Sequence, residues 1–346
     1  MATIASANGT PPASASSGSS KGRAITLTFP VASNKLAWKD AFTVVGLSGT
    51  EGISQLFRYD LDLVADRGAA IPFSQVLGEI VVIDIPLQSG SRRIFGAISR
   101  LTQKRSDATH AHYQAQVVPA LWFATKITQS RIFQDLDVIE IIKAVTRSWP
   151  PFGFLDEYRI QGQYPKRPYC VQYRETDFHF LSRIMEEEGI YYYFDHESDF
   201  GKVAQMVICD TPLRHPDLRF PRIVRLDETR GGNRPEDRVT DWQRSQEVRA
   251  AKVTLWDHSF ELPPSHLDAA KSPVPKVEAG PVTHDLEGKD PFELYDYPGD
   301  YAKHFDGVDR GGGDQAAKLQ GVFQDNRRIA GIRMEQEALP GLILNT

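Results

Sequence analysis

The residues in this chain with the greatest potential for chemistry fall into a few short groups. His110-Ala111-His112, with Asp107 just upstream, is the closest pairing among the nine histidines. In a strand, residues two apart share a face, so two imidazoles can point at one cation. Apart from Asp107, no nearby Cys, Asp or Glu completes a ligand set, and an exposed turn between strands is the simpler reading. Glu186-Glu187-Glu188 places three carboxylates in succession. On a helix such neighbours fan around the axis and cannot all reach one substrate bond. A solvated or ion-paired helix end suits them better, with arginines such as Arg174 or Arg183 as partners. Carboxylates at a helix C-terminus oppose its dipole, so a nearby cation is expected. Asp177 and His179 lie within one helical turn, but no nucleophile stands within sequence reach of them.

Other chemistries lack their usual residues. No G-x-S-x-G elbow, P-loop or strand-borne G-x-G-x-x-G is present, which removes the ordinary signatures of acyl transfer, nucleotide hydrolysis and dinucleotide binding. Gly311-Gly312-Gly313, between Arg310 and Asp314, reads as a joint and not as a phosphate cradle. Cys170 and Cys209 form no C-x-x-C and sit in apolar runs, as buried free thiols of a protein made in a reducing cytosol would. The expectation is a protein without catalytic, cofactor-binding or metal residues. Lys and Arg total 40 against 45 Asp and Glu, a formal charge of -5, so nothing draws the chain to nucleic acid or an anionic membrane. The N-terminus has neither the basic nor the apolar region of a signal peptide, and no apolar run is long enough to span a bilayer.

The elements that would position these groups can be read from periodicity. A length of 346 residues suits two domains. Residues 1–23 are rich in Ala, Ser, Gly and Pro and are expected to form a disordered arm. Then Ile25 to Phe29, Phe42 to Leu47, Phe57 to Val64, Ile80 to Ile85, Arg93 to Leu101 and His112 to Val118 follow as short strands between turn-rich breaks. Phe57-Arg58-Tyr59-Asp60-Leu61-Asp62-Leu63 alternates strictly, the period of a half-buried strand. Six such strands predict a barrel or sandwich.

A helix follows, since Val138, Ile141, Ile142 and Val145 are spaced i, i+3, i+4, i+7, with Asp137 and Glu140 placed to cap its start and Pro150-Pro151 to stop it. Pro168 to Tyr173 reads as a strand. Phe178, Leu181 and Met185 mark a second helix, with Gly189 as its left-handed C′ residue. Ile190 to Phe194 and Val203 to Cys209 are expected to pair as a hairpin. Val239 to Glu247 and Lys252 to Trp256 read as further strands, and 262–298 as a long loop with little regular structure. A short helix at Gln315 to Phe323 and a strand at Arg328 to Glu337 complete the reading.

The run from Pro168 to Phe178, Pro-Tyr-Cys-Val-Gln-Tyr-Arg-Glu-Thr-Asp-Phe, continued by Phe180 to Phe194, Phe-Leu-Ser-Arg-Ile-Met-Glu-Glu-Glu-Gly-Ile-Tyr-Tyr-Tyr-Phe, closely resembles the central signature of the VgrG family. Its recurrent positions here are Tyr169, Gln172, Tyr173, Glu175, Phe178, Arg183, Glu187, Glu188, Gly189, Tyr191 and Tyr193, all structural. Arg58-Tyr59, Leu77-Gly78, Phe95-Gly96, Pro119-Ala120-Leu121-Trp122 and Tyr295-Asp296-Tyr297-Pro298-Gly299 agree as well. The resemblance implies a mainly β fold with helical insertions (α+β), like the hub of contractile phage tails. Two tube-type β-barrel domains, at 24–125 and 190–346, would flank a helical connecting region with a strand at 126–189, and the last strands of the second barrel are left open.

It further implies a non-enzymatic spike base of a type VI secretion system. Three copies would form a pseudo-sixfold ring that docks on the hexameric Hcp tube and meets baseplate proteins. No cofactor, nucleic acid or stable membrane association is implied. The protein would assemble in the cytoplasm and leave through the secretion apparatus. Family members usually continue into an OB-like domain and a β-helical needle, whose tip carries a PAAR protein, so this chain corresponds to the base and would meet that partner only through a needle. A tail hub of a phage or tailocin is the structural alternative; a spike carrying a cell-wall-degrading enzyme is the alternative of another class. Of Tyr191-Tyr192-Tyr193, strand alternation turns at least one ring away from its own core, where it could serve a subunit contact or simple rim packing.

Overall fold

A computed structural model describes residues 2–4, 24–30, 38–87, 90–149, 155–197, 204–211, 225–226, 238–239, 250–258, 267–271, 276–279, 282–285, 292–299 and 315–342. The first seven strands are β1 (Ala2–Ile4), β2 (Thr26–Thr28), β3 (Thr43–Glu51), β4 (Arg58–Asp66), β5 (Ile80–Leu87), β6 (Gly90–Gln103) and β7 (His110–Val118), with the short helix α1 (Phe73–Val76) before β5. They form one antiparallel sheet in the order β1-β3-β4-β7-β6-β5-β2. The six strands expected from periodicity are therefore present. Ala2–Ile4 adds an edge strand against Gly49 to Glu51, inside the arm that composition marks as disordered; residues 5–23 lie outside the described residues.

The alternation along β4 buries Tyr59, Leu61, Leu63 and Ala65, and that along β7 buries Ala111, Tyr113, Ala115 and Val117. These two rows face one core with Phe29, Trp38, Phe42, Phe57, Ile83, Ile94 and Ile98, and the sheet curls enough to bring β2 beside β3. Burying such rows at roughly 25 cal/mol per Å² of apolar surface is what fixes the register, because a one-residue slip would expose every inward side chain.

A 3₁₀ helix at Ala120–Lys126 leads into β8 (Thr128–Phe133), α2 (Val138–Thr146), β9 (Leu155–Arg159), β10 (Cys170–Thr176), α3 (Asp177–Glu187), β11 (Tyr191–Asp195) and β12 (Gln205–Cys209). The capping box expected at Asp137 and Glu140 forms in both directions, at 2.9 and 3.0 Å. The expected hairpin pairs Tyr191 with Cys209 through Asp195 with Gln205. The connecting region holds three strands where one was expected, and β9 pairs in parallel with β12. A single second core runs from Leu121 to Ile208, across the boundary drawn at 189/190. The fold is mainly β with helices inserted, as the sequence implies.

Beyond it stand β13 (Arg225–Leu226), β14 (Arg238–Val239), β15 (Lys252–Asp257), β16 (Leu267–Lys271), β17 (Lys276–Ala279), β18 (Val282–Asp285), β19 (Glu293–Asp296) and α4 (Gln315–Leu342). Two expectations are corrected here. The stretch 262–298, read as loop, holds the four short strands β16 to β19, because pairing with β15 and between β17 and β18 satisfies backbone that composition alone marks as irregular. The strand read at Arg328 to Glu337 and the short helix before it are one helix, α4. Its buried residues Val322, Asn326, Ala330 and Met334 recur every four positions, a helical stripe, and the apolar ones pack on Val253, Leu255, Leu267 and Ala269. Of the strand expected from Val239 to Glu247, only Val239 falls within a described element, and Gly311 to Gly313 lie outside the described residues.

Candidate functional site

The signature segment folds into β10, α3 and β11. Thr176 turns strand into helix: its hydroxyl accepts from the His179 amide at 3.1 Å, capping α3. Gly189 ends the helix at φ +69°. The Gly189 amide donates to the Glu186 carbonyl at 3.2 Å and the Ile190 amide to the Met185 carbonyl at 2.8 Å, a Schellman closure whose apolar pair, Met185 and Ile190, lies in the second core. A Cβ at Gly189 would also meet the Ile332 side chain of α4 at 3.0 Å.

Asp177, Glu175, Arg183, Glu187 and Glu188 of the segment are paired within the chain. Asp177 is fully buried and accepts from Arg131, from Gln172 Nε2 at 2.8 Å and from Trp149 Nε1 at 2.8 Å. Gln172, itself buried, also donates to the Glu175 carbonyl at 3.1 Å. Arg183 reaches Glu175 at 2.7 Å, Glu187 at 3.2 Å and the Val171 carbonyl at 3.1 Å, and its guanidinium stands over the Phe180 ring at 5.4 Å. Arg167 joins Glu187 at 2.8 Å to Glu188 at 2.7 Å, and Arg328 from α4 completes Glu188 at 2.7 Å. The pairing with Glu188 keeps the Arg167 guanidinium firmly protonated against the opposing effect of burial. Gln336 donates to the Glu186 carbonyl at 3.0 Å.

The cation that the acidic helix end calls for is therefore supplied by Arg167, Arg183 and Arg328. Arg183 is one of the two arginines expected from sequence. The other, Arg174, sits at φ +50° in a bulge of β10, with its amide donating to Ser130 Oγ at 3.3 Å. Asp177 and His179 part company, since Asp177 turns into the buried cluster while His179 is exposed. At His110-Ala111-His112, Asp107 accepts from the Thr109 amide at 2.8 Å, the His110 amide at 2.7 Å and His112 Nε2 at 2.9 Å; the His110 amide first, then His112 and the Thr109 amide, lower its carboxyl pKa.

The outer face of the segment is apolar. Cys170 and Gln172 point inward, so Tyr169, Val171 and Tyr173 point outward, and Ile132 of β8 lies opposite Val171. Tyr173 is 70% exposed, and Tyr169 and Ile132 are each 59% exposed. Among the described residues, β8 and β10 pair only with each other. Tyr191 and Tyr193 are half-buried on the face opposite the buried Tyr192, and Arg159 Nη1 donates to the Tyr193 hydroxyl at 2.8 Å. Phe178 is half-buried against the second core. Arg131, Trp149, Arg167 and Arg328 were missed by sequence reasoning; only the excess of carboxylates at the helix end hinted at such partners.

Comparisons with known proteins bear on this unit. The family described as phage tail baseplate hub (GPD) matches residues 50–341. Type VI secretion system spike protein VgrG1a of Pseudomonas aeruginosa is 36% identical over 270 residues, covering 78% of this chain and 39% of that protein. VgrG1c of the same organism is 36% identical over 263 residues, covering 75% of this chain and 34% of that protein. The chain thus spans less than half the length of these relatives. Among solved structures, a type VI secretion component of Escherichia coli is 24% identical with a TM-score of 0.45, covering 54% of this chain and 48% of that one. A 43 kDa prophage tail protein from Shewanella oneidensis is 16% identical with a TM-score of 0.44, covering 74% and 71%.

Proposed function

Because the chain belongs to the phage tail baseplate hub (GPD) family, we propose that it is a structural part of a contractile injection machine, the base of a type VI secretion spike. Three copies form a ring in which the curled sheet of β1 to β7 supplies one tube-type barrel and the strands from β11 onward contribute to the other. The ring offers pseudo-sixfold symmetry to the hexameric Hcp tube, contacts baseplate proteins and is delivered with the spike. It assembles in the cytoplasm and leaves through the apparatus, meeting a PAAR tip protein only through a needle. No chemical turnover is involved.

One observation carries this reading. The signature carboxylates Glu175, Glu187 and Glu188, together with Asp177, are each held by an arginine of the same chain, while the outward face of β8 and β10 leaves Tyr169, Tyr173 and Ile132 in solvent. A rigid, internally neutralised body with an exposed aromatic strip is built for contact between subunits and not for turnover. Interface complementarity spread around a ring supplies the affinity.

The test is to mix the purified chain with the tube protein and image the mixture by electron microscopy. Ring-on-ring complexes are expected, and their absence at concentrations that saturate the tube overturns the reading. The second structural reading, a phage or tailocin tail hub, is favoured by the family description itself. Neighbouring genes separate the two: sheath and capsid genes mark a phage, and genes for membrane-embedded secretion proteins mark the secretion system.

A further inference from the structure

Strand β6 runs past the end of its neighbour β7. Ala97 faces Val118 in that ladder, so Phe95 would face residue 120 if β7 continued. Pro119 instead leads into the 3₁₀ helix at Ala120–Lys126. The Phe95 amide on that side donates to Nδ1 of His196 at 3.1 Å, across 101 residues of sequence. His196 is buried and follows directly on β11. Its ring lies 5.1 Å from that of Phe57, which is also 5.1 Å from Phe194. Nearby, the Ser54 amide donates to the Tyr192 carbonyl at 2.8 Å and the Tyr192 amide to Ser54 Oγ at 3.4 Å. The end of β11 is thus a seam along which the second core is fastened to the first.

The bond to Phe95 dictates the state of the imidazole. A ring nitrogen that accepts a backbone N–H carries no proton, so the neutral ring holds its proton on Nε2. That atom lies 3.4 Å from Oε1 of Glu51. At that distance the two form no hydrogen bond; Glu51 accepts from the Tyr59 hydroxyl and, at 2.8 Å, from Arg92. Burial alone would raise the Glu51 carboxyl, but the His196 ring, the Tyr59 hydroxyl and the Arg92 guanidinium outweigh it and hold it down at about 2, so it stays anionic. On the side of β6, Arg93 stands over the Phe95 ring at 5.9 Å. On the segment of His196 itself, Asp195 is turned to the Glu197 amide at 2.8 Å, and Glu197 is exposed.

We infer that His196 is a protonation-sensitive latch between the first sheet and the second core. Neutral, it closes the seam by accepting from Phe95. A proton taken up on Nδ1 would set two N–H groups against each other over 3.1 Å, so proton uptake and the Phe95 bond exclude one another. Glu51 keeps hold of the imidazolium through Nε2, and the ring turns from strap to pivot while the Phe95 amide is released.

Native-state hydrogen exchange on the whole chain tests this at about pH 7.5 and about pH 5.5, on the two sides of an ordinary imidazole transition, with rates corrected for intrinsic pH dependence. In the wild type, the Phe95 amide is expected to exchange about fivefold faster at the lower pH, the loss of one ordinary hydrogen bond, with Tyr192 following. The His196→Asn variant places an untitratable acceptor where Nδ1 was and is expected to hold its protection at both values. Unchanged protection in the wild type, or an equal loss in the variant, overturns the latch. Nitrogen chemical shifts of labelled histidine in the wild type provide a check that needs no variant: the acceptor signal of His196 Nδ1 should vanish over the same pH range as the protection of Phe95. Protonation with Phe95 still protected overturns it.

Discussion

Glu188 and Arg328 are 140 residues apart in sequence and 2.7 Å apart in space, and this ion pair ties the acidic end of α3 to the middle of α4. The Glu188 side chain is 3% exposed and shares its second oxygen with Arg167. Such a carboxylate holds two helices and the loop before β10 in one arrangement.

Glu188→Ala removes the carboxylate that the two guanidiniums share, leaving Arg167 with Glu187 and Arg328 with Asp325, and is expected to lower stability by about 1 to 3 kcal/mol. Urea unfolding midpoints measure it. Arg328→Met, which leaves Glu188 its bond to Arg167 but also takes the cation from Asp325, is expected to cost a comparable amount. A double variant close to Glu188→Ala alone would show that both act through one contact.

Acid should weaken the seam end of β3 through Glu51. Its carboxyl is lowered from an ordinary 4.5 to about 2 in the folded chain. A lowered carboxylate contributes stability that is fully present above the unfolded value and is lost as pH falls from there through the folded one. Unfolding midpoints should therefore decline between about pH 4.5 and 2, by roughly 1 to 2 kcal/mol after allowance for solvent screening. Glu51→Gln removes that part of the decline. An identical acid profile in this variant would show that Glu51 is not the group responsible.

Gly49 and Tyr59 are cross-strand partners, and a Cβ on Gly49 would sit 2.1 Å from a Tyr59 ring atom. The ring is buried and its hydroxyl is fixed on Glu51, so it has little room to turn aside. Gly49→Ala is expected to cost about 1 to 3 kcal/mol by overpacking. Thermal unfolding reads the loss, and Tyr59→Leu in the same background should recover part of it.

Tyr173→Asp and Ile132→Ser change side chains that are largely exposed among the described residues, so each should leave the unfolding midpoint within about 0.5 kcal/mol of wild type. If the outer face of β8 and β10 is a subunit contact, the same variants reduce ring formation in light scattering and electron microscopy. Unaltered assembly with both substitutions present would remove this face from the interface.

Much of the architecture can be read from local pattern. Strict alternation in Phe57 to Leu63 locates β4, and the box at Asp137 and Glu140 with the stripe from Val138 to Val145 locates α2. Gly189 marks the end of α3, because only a residue without Cβ takes φ +69° freely. The family resemblance is legible for the same reason: its signature, Pro168 to Phe194, is a continuous run in which strand, cap, helix and C-cap are all encoded nearby.

What sequence could not supply are the relationships that close over distance. Arg131 and Trp149 meet at Asp177, Arg328 meets Glu188, and His196 meets Phe95, yet none of these pairs has a spacing that announces it. Likewise, Arg328 to Glu337 reads as a strand in isolation and is helical because the stripe Val322, Asn326, Ala330 and Met334 has β15 and β16 to pack upon. Sequence by itself determined six of the seven strands of the first sheet, the capped helices α2 and α3, and the family. Tertiary structure decided which charges are neutralised, which tyrosines stay in solvent and which form α4 takes, because burial and ion pairing depend on what lies opposite a residue and not on what lies beside it in the chain.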